Sequence, residues 1–141
     1  MEKICKACAA DSLSHSFKKI SEKRGISVYY TRPSQAKLYD DHDGILDHVD
    51  KMLAIQGKRK WMCIIDGEGF ETKHAAEVKI GMGVLELITQ KYKEYLVEIK
   101  IVNPSWHVKT VYKVTKPWID ELFGDKITYL DDRAYSVFEF L

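Results

Sequence analysis

The sequence lacks the features that mark several classes of protein. Three cysteines among 141 residues are few and odd in number, which excludes a disulfide scaffold of the secreted type. The first ten residues carry charges and no apolar segment, so we expect no secretory signal. The longest apolar stretch, residues 78–88, is interrupted by Lys79 and Glu86 and falls short of the roughly 20 apolar residues of a membrane span. A reducing, cytoplasmic location is therefore expected.

The chain also lacks an excess of positive or negative charge, because its formal net charge is only +1. A broad electrostatic footprint for nucleic acid is absent, so we expect no nucleic-acid partner. The composition, 45% hydrophobic and 30% charged, is that of an ordinary globular protein. A length of 141 residues suits a single domain.

Recognisable metal and cofactor motifs are scarce. Cys5 and Cys8 have the spacing of a zinc-binding pair, but a structural zinc site needs a second pair and none is present. His42 and His48 are six residues apart and do not share a helical face. We expect no metal and no cofactor, and the role of Cys5 and Cys8 stays open.

Catalytic motifs are missing as well. The turn 66–69, Asp-Gly-Glu-Gly, lacks the Gly-Lys-Ser/Thr ending of a phosphate-binding loop, so a plain strand-to-helix turn is the expectation. No Gly-x-Ser-x-Gly elbow occurs, and no serine has a recognisable base partner. The sequence therefore predicts a protein that is not an enzyme.

What the sequence does contain is an alternation of helical and strand-like segments. Periodicity and turn residues predict helices at 11–24, 40–56, 73–94, 106–122 with a break at Pro117, and 131–141. Between them, β-branched and apolar runs predict strands at Ile26–Thr31, 61–65, Leu96–Val102 and Ile127–Leu130. Alternation of this kind predicts an α/β fold with a mostly parallel β-sheet and helices packed against it. Ligands of such sheets bind near the carboxyl ends of the strands.

Residues 73–94 form the most apolar of these segments. Val78, Met82 and Leu85 mark one side of the helix, and further apolar residues mark another. A helix that is apolar nearly all round is a buried core helix or lines an apolar cavity. Gly81 and Gly83 weaken the helix and suggest a close approach by another group.

Residues 106–122 combine aromatic, apolar and basic side chains. The apolar surface includes Val111, Val114, Trp118, Ile119 and Leu122, and suits an element that lies on a membrane or closes over an apolar pocket. Lys109, Lys113 and Lys116 recur at three- or four-residue spacing, which makes a stripe suited to anionic lipid headgroups. A solvated helix face is the alternative interpretation.

Taken in order, several short motifs resemble the CRAL-TRIO family of lipid-binding domains, typified by the yeast phosphatidylinositol transfer proteins. The resemblance runs from about residue 26 to residue 130. The motifs are Asp-Gly at 66–67, Tyr-Lys-Glu at 92–94, Asn-Pro at 103–104, Lys-Pro-Trp at 116–118 and Lys-Ile at 126–127. The implied architecture is a single domain over 1–141, with an N-terminal segment and helix at 1–25, a core at 26–130 and a terminal helix at 131–141.

The resemblance also implies site residues. Glu94 and Lys126 match the family positions that hold an inositol phosphate headgroup, although both side chains could instead pair with neighbours. Residues 113–124 resemble the helical gate that closes over acyl chains. The implied pocket or gate residues are Val78, Met82, Leu85, Val111, Val114, Trp118, Ile119 and Leu122.

Relative to the family, we expect this chain to lack most of the N-terminal helical bundle and part of the C-terminal cover. The expected function is binding, and possible transfer or sensing, of a small hydrophobic lipid such as a phospholipid or phosphoinositide. The expected partners are a lipid ligand and a membrane surface that a peripheral protein contacts transiently, and a protein partner stays open. The alternative is a scaffold similar to the BCH-type domains, with a reduced pocket, that engages small GTPases or their regulators.

Overall fold

The computed structural model describes residues 15–37, 41–71 and 78–141. Its centre is a five-stranded sheet in the order β1-β2-β3-β4-β5. The strands are β1 (Phe17–Lys23), β2 (Ile26–Thr31), β3 (Trp61–Asp66), β4 (Leu96–Val102) and β5 (Ile127–Leu130). Strands β2 to β5 run parallel to one another, and β1 pairs antiparallel with β2. The prediction of an α/β fold with a mostly parallel sheet is confirmed.

Three helices connect neighbouring parallel strands: α1 (His42–Gln56), α2 (Val78–Leu87) and α3 (Trp106–Phe123). Since each right-handed crossover moves one strand further in the same direction, all three helices pack on one face of the sheet. Their apolar side chains form the main core with that face. The buried members from the helices and from the turn after α2 are Ile45, Val49, Leu53, Ile80, Ile88, Ile119 and Phe123.

The prediction of a helix at residues 11–24 is wrong for its described part, which forms the strand β1. Phe17 and Ile20 are three residues apart, a spacing that shares one face of a helix but faces opposite sides of a strand. Phe17 packs into the main core, and Ile20 packs on the other face of the sheet. Arg24 and Gly25 both have positive φ, 54° and 78°, which makes a tight hairpin turn rather than a helix end. Residues 11–14 lie outside the described residues.

Helix α1 ends at Gln56 as the sequence predicts, and it begins at His42, two residues after the predicted start. The Asp41 side chain accepts a hydrogen bond of 3.2 Å from the Gly44 backbone N–H and so caps the helix. Gly57, at φ 66°, follows the last turn. Position 40, the expected first residue, lies outside the described residues.

The segment expected to be one helix at 73–94 changes geometry along its length. The α-helix α2 ends at Leu87, a π turn follows at Ile88–Tyr92, and a 3₁₀ turn at Lys93–Tyr95 leads into β4. The Trp61 indole N–H donates to the Tyr92 carbonyl at 3.1 Å, so this carbonyl is bonded to a side chain. Residues 72–77 are not among those described.

The predicted break at Pro117 is wrong, because α3 runs without interruption from Trp106 to Phe123. Proline removes one backbone donor. The donor is lost on the solvent-facing side of the helix, where both Lys113 and Pro117 are exposed. Water can hydrogen-bond the freed carbonyl there, while the buried face of α3 holds the helix to the sheet.

The predicted terminal helix at 131–141 is also wrong. Only a short 3₁₀ turn forms, at Val137–Phe140, and Ser136 and Glu139 cap it reciprocally. The rest of the segment is extended or bent and lies against the sheet face that the helices leave uncovered. The Tyr135 backbone N–H donates to the Asn103 side-chain oxygen at 2.7 Å, and the Asn103 side-chain amide donates to the Tyr135 carbonyl at 2.8 Å. These two hydrogen bonds join the C-terminal segment to the end of β4.

This C-terminal segment covers a second, smaller core. The buried sheet residues of that core are Val28, Tyr30, Ile64 and Val102. Tyr135, Val137 and Phe140 pack against them from the C-terminal segment. Because Ile64 is fully buried, the segment takes the place that a helix occupies in a sheet covered on both faces.

We expect Phe140→Ala to lower the free energy of unfolding by about 1–2 kcal/mol, because the ring is partly buried against the second core. Phe138→Ala is the matched control, since Phe138 is 77% exposed, and its effect should stay within about 0.5 kcal/mol. Urea denaturation of the two variants measures the difference. Equal effects would contradict the covering role of the C-terminal segment.

Candidate ligand-binding cavity

An apolar cavity lies between the helix-facing side of the sheet and the three helices. Its volume is ≈ 250 Å³. The sheet contributes residues from the middle and the carboxyl ends of the strands, among them Thr31, Cys63, Ile65, Ile99 and Ile101. The position agrees with the general rule that open α/β sheets bind ligands toward the carboxyl ends of their strands.

The helices complete the wall of the cavity. Helix α1 contributes Ile45 and Val49, and α3 contributes residues that include Val111 and Trp118. Helix α2 contributes all residues from 80 to 85 except Gly83. Almost all of these side chains are apolar. Such a surface stabilises a hydrocarbon ligand by removing it from water, at about 0.8 kcal/mol per buried methylene.

The two glycines of α2 have different surroundings. A Cβ atom at Gly83 would lie 3.3 Å from the His42 ring, so this glycine lets α1 and α2 approach closely. A Cβ atom at Gly81 would meet nothing within 4 Å, and Gly81 lines the cavity. The expected close approach thus occurs at Gly83, whereas Gly81 faces open space.

A histidine stands at one end of the otherwise apolar wall. His15 lines the cavity, and its Nε2 atom lies 2.8 Å from a carboxylate oxygen of Asp41. His48 packs edge-on against the His15 ring, with 5.4 Å between ring centroids. Burial is the main cause that lowers the pKa of His48, which favours the neutral ring, and its Nε2 atom lies 2.8 Å from the Phe17 carbonyl oxygen.

Cys63 is the other group of potential reactivity in the wall. It is a free, buried cysteine, and burial raises the pKa of its thiol to about 12. A thiol of this kind stays protonated and behaves as a small apolar side chain.

The polar turn at the carboxyl end of β3 is a structural network. The Asp66 carboxylate is buried and accepts hydrogen bonds from the Tyr30 hydroxyl at 2.5 Å, the Glu68 backbone N–H at 2.9 Å and the Asn103 amide at 3.2 Å. These bonds join the ends of β2, β3 and β4. Burial is the largest cause that raises the pKa of Tyr30, and the bond to Asp66 adds to it.

The structure brings five of the predicted pocket residues together at the cavity: Met82, Leu85, Val111, Trp118 and Ile119. Leu122 packs in the main core beside the cavity. Val114 is 75% exposed on the outer side of α3. The Val78 side chain lies outside the part of the chain that the structure describes.

Glu94 and Lys126, the predicted headgroup residues, lie at the amino end of β4 and away from the cavity wall. The Lys126 ammonium donates to the Leu96 carbonyl at 2.9 Å and to the Lys93 carbonyl at 3.3 Å. Glu94 is exposed in the turn between these two carbonyls. Lys126 therefore ties the start of β5 to the start of β4.

The outer side of α3 presents the predicted lysine stripe. Lys109, Lys113 and Lys116 are all exposed, and Lys116 pairs with Asp120 at 2.6 Å. Trp106 and Val114 of α3 are also exposed, at 72% and 75%. Within the described residues, no helix has the length and apolarity to cross a membrane. Cys5 and Cys8 lie outside those residues.

Comparison with known protein families assigns the fold. Residues 22–140, most of the chain, match the CRAL/TRIO domain. The chain belongs to this family. CRAL/TRIO domains bind lipids or other small hydrophobic ligands, and the apolar cavity of this chain is suited to such a ligand.

Sequence analysis missed part of the wall of this CRAL/TRIO cavity. Ile45, Val49 and His15 line the cavity, and none of them is among the predicted pocket residues. No local pattern reveals His15, because its partner Asp41 is 26 residues away. The carboxyl ends of the strands were the available signal, since Thr31 and Pro33 at the end of β2 and Gly67 and Phe70 after β3 line the cavity.

Proposed function

We propose that this CRAL/TRIO domain is a binding module for one small hydrophobic lipid, which it carries or senses at a cytoplasmic membrane surface without catalysing a reaction. The observation that carries the proposal is the apolar cavity of ≈ 250 Å³ beneath α2 and α3. A folded core tolerates few voids, since each one forfeits packing contacts. A cavity of this size is consistent with a space that a ligand fills.

The gate in this proposal is α3. Its inner side lines the cavity through Val111 and Trp118, while its outer side carries Trp106 and the lysines. An exposed aromatic ring beside a basic stripe is the composition of a helix that rests on an anionic membrane. Contact between α3 and the membrane would loosen the cover of the cavity and let a lipid exchange.

More specifically, we propose that the ligand is a phospholipid or phosphoinositide, as in the yeast phosphatidylinositol transfer proteins. Lys126 has three N–H donors, and the two backbone carbonyls use two of them. The third donor and the exposed Glu94 carboxylate supply chemistry suited to a phosphate and an inositol hydroxyl. Because both residues lie away from the cavity, they would meet the headgroup at the protein surface.

A protein-interaction scaffold of the BCH type, engaging small GTPases or their regulators, is the second candidate. The cavity volume favours the scaffold, because ≈ 250 Å³ is below the roughly 300–1,000 Å³ of typical ligand pockets. Native mass spectrometry and lipid extraction of the purified protein separate the two functions. A stoichiometric lipid supports the lipid-binding module, whereas absence of lipid, transfer and liposome binding supports the scaffold.

Val111→Phe should fill the cavity and reduce the amount of bound or transferred lipid at least fivefold. Val114→Phe is the matched control, because it makes the same change on the exposed side of the same helix. A liposome-to-liposome transfer assay and mass spectrometry of co-purified lipid measure both variants. Equal lipid content in the two variants would argue against ligand binding in this cavity.

Replacing Lys109, Lys113 and Lys116 together by alanine should weaken binding to anionic vesicles about tenfold or more. Each lysine near an anionic surface contributes about 1 kcal/mol, and the pairing of Lys116 with Asp120 reduces its share. The control removes the same charge elsewhere, through Lys18→Ala, Lys23→Ala and Lys58→Ala, all exposed positions. Vesicle co-sedimentation at two salt concentrations measures the effect, and equal losses in both triple variants would contradict a specific role of α3.

Lys126→Ala should weaken binding to vesicles that contain phosphoinositide about tenfold, because a hydrogen bond to a charged group contributes about 1.5–3 kcal/mol. Uptake of a neutral lipid should change less than twofold. Glu94→Gln, which removes only a charge at an exposed position, should show a smaller loss with the same preference. Equal losses for both lipids, together with a lower melting temperature, would assign Lys126 a purely structural role.

A further inference from the structure

Two basic turns lie at the edge of the sheet where the parallel strands begin. One turn joins β1 to β2, and the other joins α1 to β3. Since β2 and β3 are parallel neighbours, both turns lie at the same edge. The turns and the last residue of β1 carry five exposed cations, which we call the basic edge: Lys23, Arg24, Lys58, Arg59 and Lys60. A local excess of positive charge therefore stands on a chain whose formal net charge is only +1.

Buried hydrogen bonds hold the second turn in place. Gln56 is 3% exposed, and its side-chain amide donates to the carbonyls of Arg59 at 3.1 Å and Lys60 at 3.3 Å. The Tyr29 hydroxyl donates to the Gln56 side-chain oxygen at 3.0 Å. The Arg59 side chain donates to the Gln56 carbonyl at 3.1 Å. A turn that is fixed before binding loses less conformational entropy when a partner binds.

The two turns form one continuous surface. The Ser27 backbone N–H, just after the first turn, donates to the Lys60 carbonyl at 3.0 Å. Glu22 pairs with Lys19 at 2.9 Å on the outer strand β1. The hydrogen bond from Lys19 is the largest cause that lowers the pKa of Glu22, and the positive charge of Arg59 adds to it. Arg59 of the second turn thus acts on a residue beside the first.

Most cations of the basic edge are available to a partner. In the part of the chain that the structure describes, no carboxylate forms an ion pair with Lys23, Arg24, Lys58 or Lys60. The stretches outside the described ranges adjoin the described chain at the opposite edge, where β1 begins and where β2 and β3 end. The sequence on both sides of each basic turn is therefore described.

The apolar content of this surface indicates the kind of partner. Ile55, in the last turn of α1, is 63% exposed directly before the second turn. Residues 22–26 and 53–60 contain no aromatic side chain, whereas helices that rest on a membrane combine basic residues with Trp or Phe. The cavity wall also lies toward the other ends of the strands, so a membrane at the basic edge would face away from it. One aliphatic side chain beside five cations suits a protein segment rich in carboxylates.

We propose that the basic edge binds an acidic segment of a partner protein, whose carboxylates pair with the cations and whose apolar side chain covers Ile55. The proposal goes beyond lipid binding and does not depend on it, because the basic edge lies outside the cavity wall. Opposite charges steer such an encounter, and salt weakens it. The domain would then hold a lipid in the cavity and a protein at the basic edge at the same time.

Fluorescence anisotropy with the full chain tests this proposal. The probe is a labelled peptide of glutamates around one leucine, and the matched peptide has glutamine in place of each glutamate. We expect the acidic peptide to bind at least about tenfold more tightly at low salt, and the difference to shrink at high salt.

Charge reversal locates the binding surface. Lys23→Glu combined with Lys60→Glu should weaken binding of the acidic peptide at least about tenfold, because the new carboxylates repel it. Lys113→Glu combined with Lys116→Glu makes the same change of charge on α3 and should weaken it less than about threefold. Co-sedimentation with anionic vesicles should give the opposite order. All four positions are exposed, and urea denaturation verifies that both variants fold.

Ile55→Ala tests the apolar contact. The variant should weaken the leucine-containing peptide about threefold and leave a peptide with serine in place of leucine unchanged. Val114→Ala is the control, because Val114 is 75% exposed on α3.

Four results would overturn the proposal. Wild type that does not bind the acidic peptide, or equal losses in the two charge variants, would leave only attraction by net charge. Vesicle binding that falls as far in the Lys23 and Lys60 variant as in the α3 variant would assign the basic edge to a membrane. A single-stranded oligonucleotide that binds more tightly than the acidic peptide would assign it to nucleic acid. None of these results bears on the lipid, which Val111→Phe tests separately.

Discussion

The central strand β3 needs cover on both faces of the sheet. Its neighbouring residues Cys63 and Ile64 are buried on opposite faces, at 3% and 0% exposure. Both flanking strands are parallel to it, so every second side chain points toward each face. The three helices cover the Cys63 face, and the C-terminal segment covers the Ile64 face. The rest of the architecture follows from meeting these two requirements with a short chain.

The helices and the C-terminal segment cover the sheet at different distances. This difference determines on which face the cavity lies. The C-terminal segment lies directly on the sheet, with Val137 and Phe140 close to Ile64. The helices stand further from the sheet because each one is a wide cylinder with its own side chains. Between α2, α3 and the sheet a space of ≈ 250 Å³ is left, and its wall is apolar because core-facing side chains surround it. The ligand cavity is thus an extension of the main core.

Polar groups are kept at the margins of this arrangement. Asp66 joins the carboxyl ends of three strands through hydrogen bonds, and Lys126 joins two amino ends. His15, which pairs with Asp41, lines the cavity together with the ionisable residues Cys63 and Tyr112. The lysines stay on the outer side of α3, away from the apolar wall.

The sequence by itself determined the α/β class, the four parallel strands and the apolar inner faces of α2 and α3, because these depend on local periodicity and on turn residues. It predicted five residues of the cavity wall, from the apolar spacing in α2 and α3 together with the family resemblance. Only the tertiary structure decided that Phe17–Lys23 is a strand, that α3 passes through Pro117 and that residues 131–141 cover the second face. Each of these outcomes depends on what a residue packs against, and residues distant in sequence supply that contact. The pairing of His15 with Asp41 belongs to the same class, since 26 residues separate two groups that meet only after the sheet has formed.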